Sequence, residues 1–174
     1  MATSIVLTVA FTGRMFSYIM VNFTYLGRVK KMNDLYGRLK TKKIKITEIP
    51  NWGPYLRKQW ENNFAIHLTD NEKKSIYLFD TGGYSGYLWH LFSNEKKDCL
   101  EREKAEAAFN NQPKNNCYVF YQNSDYALFL ENASIFDTED LINEQDIYIV
   151  DKGFNWTYVQ THETGWFGPY FSVK

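Results

Sequence analysis

The sequence predicts an α+β fold in which an antiparallel sheet of about four to five strands, including two C-terminal hairpins, packs against N-terminal helices. Three observations predict it. Residues 117–161 contain four short apolar runs separated by polar turns, a pattern typical of β-hairpins. Residues 55–68 and 99–111 have the spacing or the composition of helices. Apolar residues make up 44% of the 174-residue chain, enough for the core of one domain.

The first predicted elements follow Met32. Asn33 and Asp34 can cap a short helix that runs to Lys40. Residues 43–49 alternate apolar and charged side chains, which predicts a short edge strand ending in a Pro- and Gly-containing turn.

The helices occupy the middle of the chain. Leu56, Trp60 and Phe64, followed by His67 and Leu68, fall at helical spacing and predict an amphipathic helix. Residues 69–72 can cap a second short helix or turn, and we expect a buried helical turn in the almost wholly apolar run 87–92. The segment CLEREKAEAAFNN, residues 99–111, is rich in Glu, Lys and Ala and predicts the clearest helix.

The C-terminal part predicts the sheet. Runs 117–121 and 126–130 form one hairpin with a four-residue loop, and runs 147–150 and 156–161 form the second. A capped helical turn is predicted at 137–142, between the hairpins. The tail at 168–171 can pack against the second hairpin.

The domain is predicted to span residues 32–174, with residues 1–31 as an N-terminal extension. Residues 4–26 are apolar, but Arg14 would cost about 2.5–3.5 kcal/mol at a bilayer centre. Basic residues follow this run instead of preceding it, unlike a signal peptide. Three interpretations stay open: translation from an upstream start codon, a peripheral or anchor helix, and a membrane span.

Charge is divided along the chain. Residues 1–60 contain 11 Lys or Arg and 2 Asp or Glu, whereas residues 61–174 contain 9 and 18. The acidic part argues against nucleic acid as a partner and favours a basic protein. Cys99 and Cys117 indicate free thiols in a reducing, cytoplasmic location, unless the fold brings them together.

The sequence contains no motif that assigns a catalytic residue, a metal ligand or a cofactor. Gly82, Gly83 and Gly86 follow an apolar run but lack the lysine of a phosphate-binding loop. His67 is expected at the surface, and His90 in the core with a hydrogen bond.

His162 and Glu163 follow a predicted strand and enter a Gly-flanked loop. Trp166 and Phe167 in this loop are placed to act as exposed anchors. The candidate binding residues are His162, Glu163, Trp166, Asp151, Glu131 and Asp140.

Several runs carry a family resemblance. LRKQWENNFA, GYLWHLFSNEKKDCL, CYVFYQ, LENA and DIYIVDKGFNWTYVQTHETGWFGPYF, in this order, resemble a family from Bacillus-like Firmicutes known as domain of unknown function 4275. The resemblance covers about residues 35–171 and supports a domain that begins near Met32. It implies no established activity, cofactor or catalytic residue, so no residue role follows from it.

These observations favour a protein-binding module over an enzyme. The specific form that fits a small acidic domain is an immunity protein that neutralises a basic toxin. One alternative is an enzyme or metal-binding protein that uses His90 and His162 with Glu163 or Asp151. Another is a membrane-associated protein that uses residues 4–31, and a regulatory or structural role also stays open.

Overall fold

The computed structural model describes residues 35–78, 86–163 and 165–174, and these form a seven-stranded sheet flanked by helices. The strands are β1 (Lys45–Ile49), β2 (Leu100–Glu101), β3 (Asn116–Tyr121), β4 (Ala127–Glu131), β5 (Ile147–Asp151), β6 (Trp156–Gln160) and β7 (Tyr170–Val173). The helices are α1 (residues 35–41), α2 (Gly53–Phe64), α3 (Asp70–Ser75), α4 (His90–Ser93) and α5 (Arg102–Asn111), with a 3₁₀ turn at Thr138–Leu141.

The sheet confirms the α+β class but has more strands than the four to five predicted. Its order is β1-β4-β3-β5-β6-β7-β2, and every neighbouring pair is antiparallel. Both predicted hairpins form, as β3–β4 and β5–β6, and β1 is the predicted edge strand. The tail forms β7 against β6, and the two-residue β2 completes the opposite edge.

The predicted helix at 99–111 begins later than its composition indicates. Leu100 and Glu101 pair with Phe171 and Tyr170, so they are extended, and α5 starts only at Arg102. The backbone N–H of Arg102 also donates to Pro169 O at 2.9 Å. Pairing with a distant strand therefore overrides local helix propensity at the start of this segment.

The helix predicted at 55–68 ends earlier in the structure than the sequence indicates. Its stripe of Leu56, Trp60 and Phe64 is buried as predicted, but α2 ends at Phe64, before His67. The exposed His67 ring accordingly lies outside the helix, with Nε2 2.7 Å from Lys96 O.

Helices cover both faces of the sheet. Along β5, Ile147 and Ile149 enter one core cluster, whereas Tyr148 and Val150 enter the other, as the two-residue period of a strand requires. α1 and α5 complete the first cluster. α2, α4 and the segments beside α4 complete the second. The sheet is therefore a central layer, which explains why its strands read as continuous apolar runs.

Ion pairs join the basic start of the domain to its acidic second half. They are Arg38–Glu144 at 2.7 Å, Lys42–Asp137 at 2.9 Å, Lys42–Asp140 at 2.8 Å and Lys45–Glu131 at 2.7 Å. The charge division seen along the sequence is thus partly cancelled within the fold. Glu131 and Asp140, which the sequence analysis proposed as contacts for a basic partner, instead bind Lys45 of β1 and Lys42 after α1.

Local capping follows the sequence closely. Thr69 and Glu72 form a capping box at α3, and Asp137 and Asp140 form one at the 3₁₀ turn.

Cys99 and Cys117 are free thiols. Burial raises the pKa of Cys99 to about 11 and that of Cys117 to about 12, so both stay protonated at neutral pH.

Three predictions fall on residues that are not described. The N-terminal extension, residues 1–31, lies outside the described ranges, and so do the predicted cap residues Asn33 and Asp34 and the glycines Gly82 and Gly83. Within the described ranges, no helix combines the length and the apolar character needed to cross a bilayer.

Candidate functional site

The candidate site forms where β3 and β6 end and β5 begins. In the β5–β6 pairing, Ile147 lies opposite Gln160, so Asp146 and His162 emerge at the same end of the sheet. The end of β3 reaches the same place, because Gln122 N donates to Asp146 O at 2.9 Å. Antiparallel register thereby brings together residues that are far apart in the sequence.

Buried hydrogen bonds fix the segment before α4 on this end of the sheet. Gln122 Oε1 accepts from Leu88 N at 3.1 Å, and Gln122 Nε2 donates to Gly86 O at 3.1 Å. The Tyr148 hydroxyl donates to Gln122 Oε1 at 2.6 Å and accepts from Trp89 N at 3.3 Å. Complete burial raises the pKa of Tyr148 well above its ordinary value, so its hydroxyl stays protonated.

Aromatic rings gather around Trp89, which is buried in this segment. Tyr87 stacks on Trp89 at 5.4 Å between centroids, and Phe167 stacks on it at 6.1 Å. The imidazoles of His90 and His162 lie 4.5 and 5.9 Å from the Trp89 ring. The structure therefore places both predicted histidines around one tryptophan.

Asp146 bonds one ring nitrogen of His162, and Glu163 lies near the other. Asp146 Oδ1 lies 2.8 Å from Nδ1 and also accepts from His162 N and from Trp89 Nε1, each at 3.2 Å. Glu163 Oε1 lies 3.6 Å from Nε2. Asp146 thus fixes Nδ1 as the protonated nitrogen and leaves Nε2 able to exchange a proton, as in a general base oriented by an acid.

A glycine-bounded turn presents Trp166 to solvent. Glu163 O accepts from Trp166 N at 2.9 Å and from Phe167 N at 3.0 Å. Thr161 Oγ1 donates to Phe167 O at 2.5 Å. Gly165 and Gly168 adopt φ values of 105° and 80°, which disfavour residues with a Cβ. The turn leaves Trp166 82% exposed and Phe167 42% exposed.

We call this region the Trp166 surface and define it by seven residues. They are Tyr87, Trp89, Asp146, His162, Glu163, Trp166 and Phe167.

Only three of the six predicted binding residues lie on the Trp166 surface: His162, Glu163 and Trp166. Asp151 is the last residue of β5, and it accepts from three backbone N–H groups of the β5–β6 connection and from the Asn155 side chain. Glu131 pairs with Lys45, and Asp140 pairs with Lys42. These three carboxylates hold the fold together at other positions.

Sequence reasoning missed Asp146 and Tyr87. Asp146 directly precedes a predicted strand, and Tyr87 was assigned to a buried turn. The signal available for Asp146 was its place at the start of β5, opposite the end of β6 in the predicted hairpin. That register would have paired it with the residues around His162.

The described residues do not assemble a metal centre. No three His, Cys, Asp or Glu side chains within these ranges are placed to hold one ion together. His90 Nδ1 instead lies 3.0 Å from Tyr77 O, so the predicted hydrogen bond is present on a half-buried ring.

A second exposed aromatic patch lies beside α2. Trp52 is 42% exposed and packs on Tyr55 at 5.3 Å and on Tyr118 at 6.1 Å between ring centroids. Tyr118 in turn contacts Phe129 across β3 and β4 at 5.0 Å.

The fold and the site define an α+β domain with a central antiparallel sheet and an exposed aromatic and acidic surface at one end. The sequence model of domain of unknown function DUF4275 matches residues 33–171, so the chain belongs to this family. No curated protein and no solved structure matches the sequence.

Proposed function

We propose that this protein is a protein-binding module that contacts its partner through the Trp166 surface. The observation that carries the proposal is the exposure of Trp166, 82% of a large apolar side chain, on a turn held by backbone hydrogen bonds. A tryptophan has only two side-chain torsions, so it loses little conformational entropy on binding, and it buries a large area, which makes it an effective interface anchor.

The surroundings of Trp166 support the same role. Phe167 is also partly exposed. It stacks on the buried Trp89 ring, on which Tyr87 also stacks. Polar groups at the rim, His162 and Glu163, can fix the orientation of a partner. An apolar centre with a polar rim is the usual anatomy of a protein interface.

A toxin-neutralising immunity protein is the specific form of this proposal. The ion pairs of Arg38, Lys42 and Lys45 use several of the carboxylates on which a broad acidic face would depend. Support for this form now rests on the Trp166 surface alone. A toxin gene directly upstream of the gene for this protein is the expected genomic context.

Site-specific photo-crosslinking in the source cells tests the proposal. A benzophenone side chain at Phe167 should crosslink a specific protein, and the same group at Tyr55, beside Trp52, serves as the control. Trp166→Ala should weaken binding of that purified protein by at least about 30-fold, equivalent to 2 kcal/mol at an interface hot spot. Trp52→Ala should bind the same protein with an affinity within about twofold of the wild type.

Two results would contradict the proposal. One is that position 167 yields no crosslink beyond those at position 55. The other is that Trp166→Ala binds the captured protein as tightly as the wild type. Melting temperatures of both tryptophan variants control for unfolding, and Trp166→Ala should melt like the wild type because its side chain is exposed.

The contact between Asp146 and His162 favours a second candidate, a proton-transfer site. A carboxylate on Nδ1 leaves Nε2 to accept a proton from a bound substrate, a contribution of roughly 100-fold or more to a rate. Hydrolysis of p-nitrophenyl acetate and p-nitrophenyl phosphate by the wild type and by His162→Gln tests it. Equal rates would reject this candidate.

A further inference from the structure

We propose that the Trp166 surface recognises an arginine side chain of its protein partner. This inference rests on the proposed function and names the chemistry that the surface selects. It depends on three features of the described residues: exposed aromatic rings, carboxylates without a Lys or Arg partner, and the turn that carries Glu163, Trp166 and Phe167.

Among the residues that the structure describes, no Lys or Arg pairs with the carboxylates of the Trp166 surface. Within the described ranges, His162 is the only ion-pair partner of Asp146 and of Glu163. By contrast, Glu61, Asp140 and Glu144 each lie within 3.1 Å of a Lys or Arg nitrogen. Two carboxylates beside one imidazole leave this surface negative whether His162 is neutral or protonated.

Glu163 is the carboxylate that a partner can reach. Its side chain is 43% exposed, whereas that of Asp146 is 18% exposed and receives three hydrogen bonds. Its distance from His162 Nε2 is 3.6 Å, which is too long for a hydrogen bond. No hydrogen bond from a described residue reaches the Glu163 carboxylate, so its oxygens are available to an incoming donor.

The turn joins Glu163 to the two exposed aromatic residues. Glu163 O accepts from both Trp166 N and Phe167 N, so these three residues belong to one turn. Glu163 Oε1 lies 3.6 Å from the His162 ring, which lies 5.9 Å from the Trp89 ring on which Phe167 stacks. A planar guanidinium can stack on an exposed indole or phenyl face and donate two parallel hydrogen bonds to a carboxylate. Lysine has no planar face and donates from a single point, so arginine fits this pairing better.

A fluorine NMR titration tests the inference on the full chain. Labelling with 5-fluorotryptophan gives one signal for each of the five tryptophans, and Trp166→Phe identifies the signal of Trp166. The probe is the peptide Ac-Gly-Arg-Gly-NH₂, with Gln, Lys and Glu versions as controls. We expect the Arg peptide to shift the Trp166 signal saturably with a low-millimolar Kd, the Lys peptide to bind more weakly, and the Gln and Glu peptides to cause no saturable shift.

Matched variants assign the carboxylate. Glu163→Gln should weaken binding of the Arg peptide by at least about fivefold, since it removes the charge and keeps the shape. Glu139→Gln, which changes an exposed carboxylate at the 3₁₀ turn, should leave it unchanged. Higher salt should weaken binding of the Arg peptide to the wild type more than its binding to Glu163→Gln.

The outcomes separate this inference from the proposed function. The inference is overturned if the Gln peptide binds as well as the Arg peptide, if Glu163→Gln has no effect, or if the Trp166 signal stays in place up to about 50 mM peptide. If it fails while Trp166→Ala still loses the crosslinked partner, the interface stands and only its arginine preference is wrong. If the Arg peptide binds but Trp166→Ala keeps the partner, the proposed function fails instead.

Discussion

Asp146 Oδ1 lies 2.8 Å from Nδ1 of His162 and accepts two further hydrogen bonds, from His162 N and Trp89 Nε1. The Asp146 carboxylate, directly before β5, therefore connects His162, two residues after β6, to Trp89, directly before α4. These three residues form the base of the Trp166 surface.

Asp146→Asn tests the strength of this connection. Asp146 has φ of 51°, and Asn tolerates this left-handed conformation, so the change removes charge without adding backbone strain. Loss of the charge-assisted bonds should lower the free energy of unfolding by about 1–2 kcal/mol. Urea denaturation measures this loss, with Glu139→Gln as the exposed-carboxylate control. Equal stability of Asp146→Asn and the wild type would show that the contact with His162 is not a stabilising one.

Features fixed by near neighbours could be read from the sequence. The capping boxes at Thr69 and Asp137 and the turns of both hairpins depend on residues within a few positions of each other. The glycines around Trp166 likewise indicated an exposed loop. In each case the energy that decides the structure comes from local hydrogen bonds and backbone preference.

Features fixed by distant pairing could not be read in this way. Leu100 is extended because it pairs with Phe171 in the last described strand. The residue preferences around Leu100 alone favour a helix. The role of Asp146 depends on the register of β5 against β6. Counting charges along the sequence places Lys42 in the basic part and Asp140 in the acidic part. The fold joins the two residues in an ion pair, which a count cannot show.

Two buried tyrosines provide a matched test of hydrogen bonding. Both are fully buried, but the Tyr148 hydroxyl bonds Gln122 and Trp89, whereas the Tyr158 hydroxyl has no hydrogen-bond partner among the described residues. Tyr148→Phe should lower the free energy of unfolding by about 1–3 kcal/mol, because it leaves Gln122 Oε1 and Trp89 N with fewer partners. Tyr158→Phe should be neutral or stabilise by up to about 1 kcal/mol, since it removes an unpaired buried hydroxyl.

Urea unfolding of both tyrosine variants, followed by far-ultraviolet circular dichroism, makes this comparison. The two proteins lose the same atom from the same residue type, so differences in ring packing are small. An equal loss in Tyr158→Phe and Tyr148→Phe would contradict the prediction. That result would place an ordered water or another partner on the Tyr158 hydroxyl.

The ion pairs of Lys42 predict how stability depends on pH. Burial opposes the charge of Lys42, but hydrogen bonds to Asp140 and Asp137 outweigh it and raise the pKa of Lys42. Burial also opposes the charge of Asp137, and its bonds to Lys42 outweigh this and lower the pKa of Asp137. The stabilisation from Asp137 is therefore present above its unfolded pKa of about 3.9 and is lost as pH falls through the lower folded value. The stabilisation from Lys42 is present below about pH 10.4, its unfolded pKa, and is lost as pH rises through the higher folded value.

Lys42→Met removes both pairs and leaves Asp140, which is nearly buried, without its cation. At pH 7 we expect a loss of about 1–2 kcal/mol in the free energy of unfolding, reduced from the value for a buried pair because Lys42 is 30% exposed. The loss should be constant from about pH 5 to 9 and shrink below about pH 4, as Asp137 becomes protonated. Urea unfolding of the variant and the wild type at pH 7, 5 and 3 measures the difference, with Lys104→Met on the exposed side of α5 as the control. A difference that stays the same at pH 3, or one that Lys104→Met reproduces, would show that Lys42 does not stabilise the fold through these carboxylates.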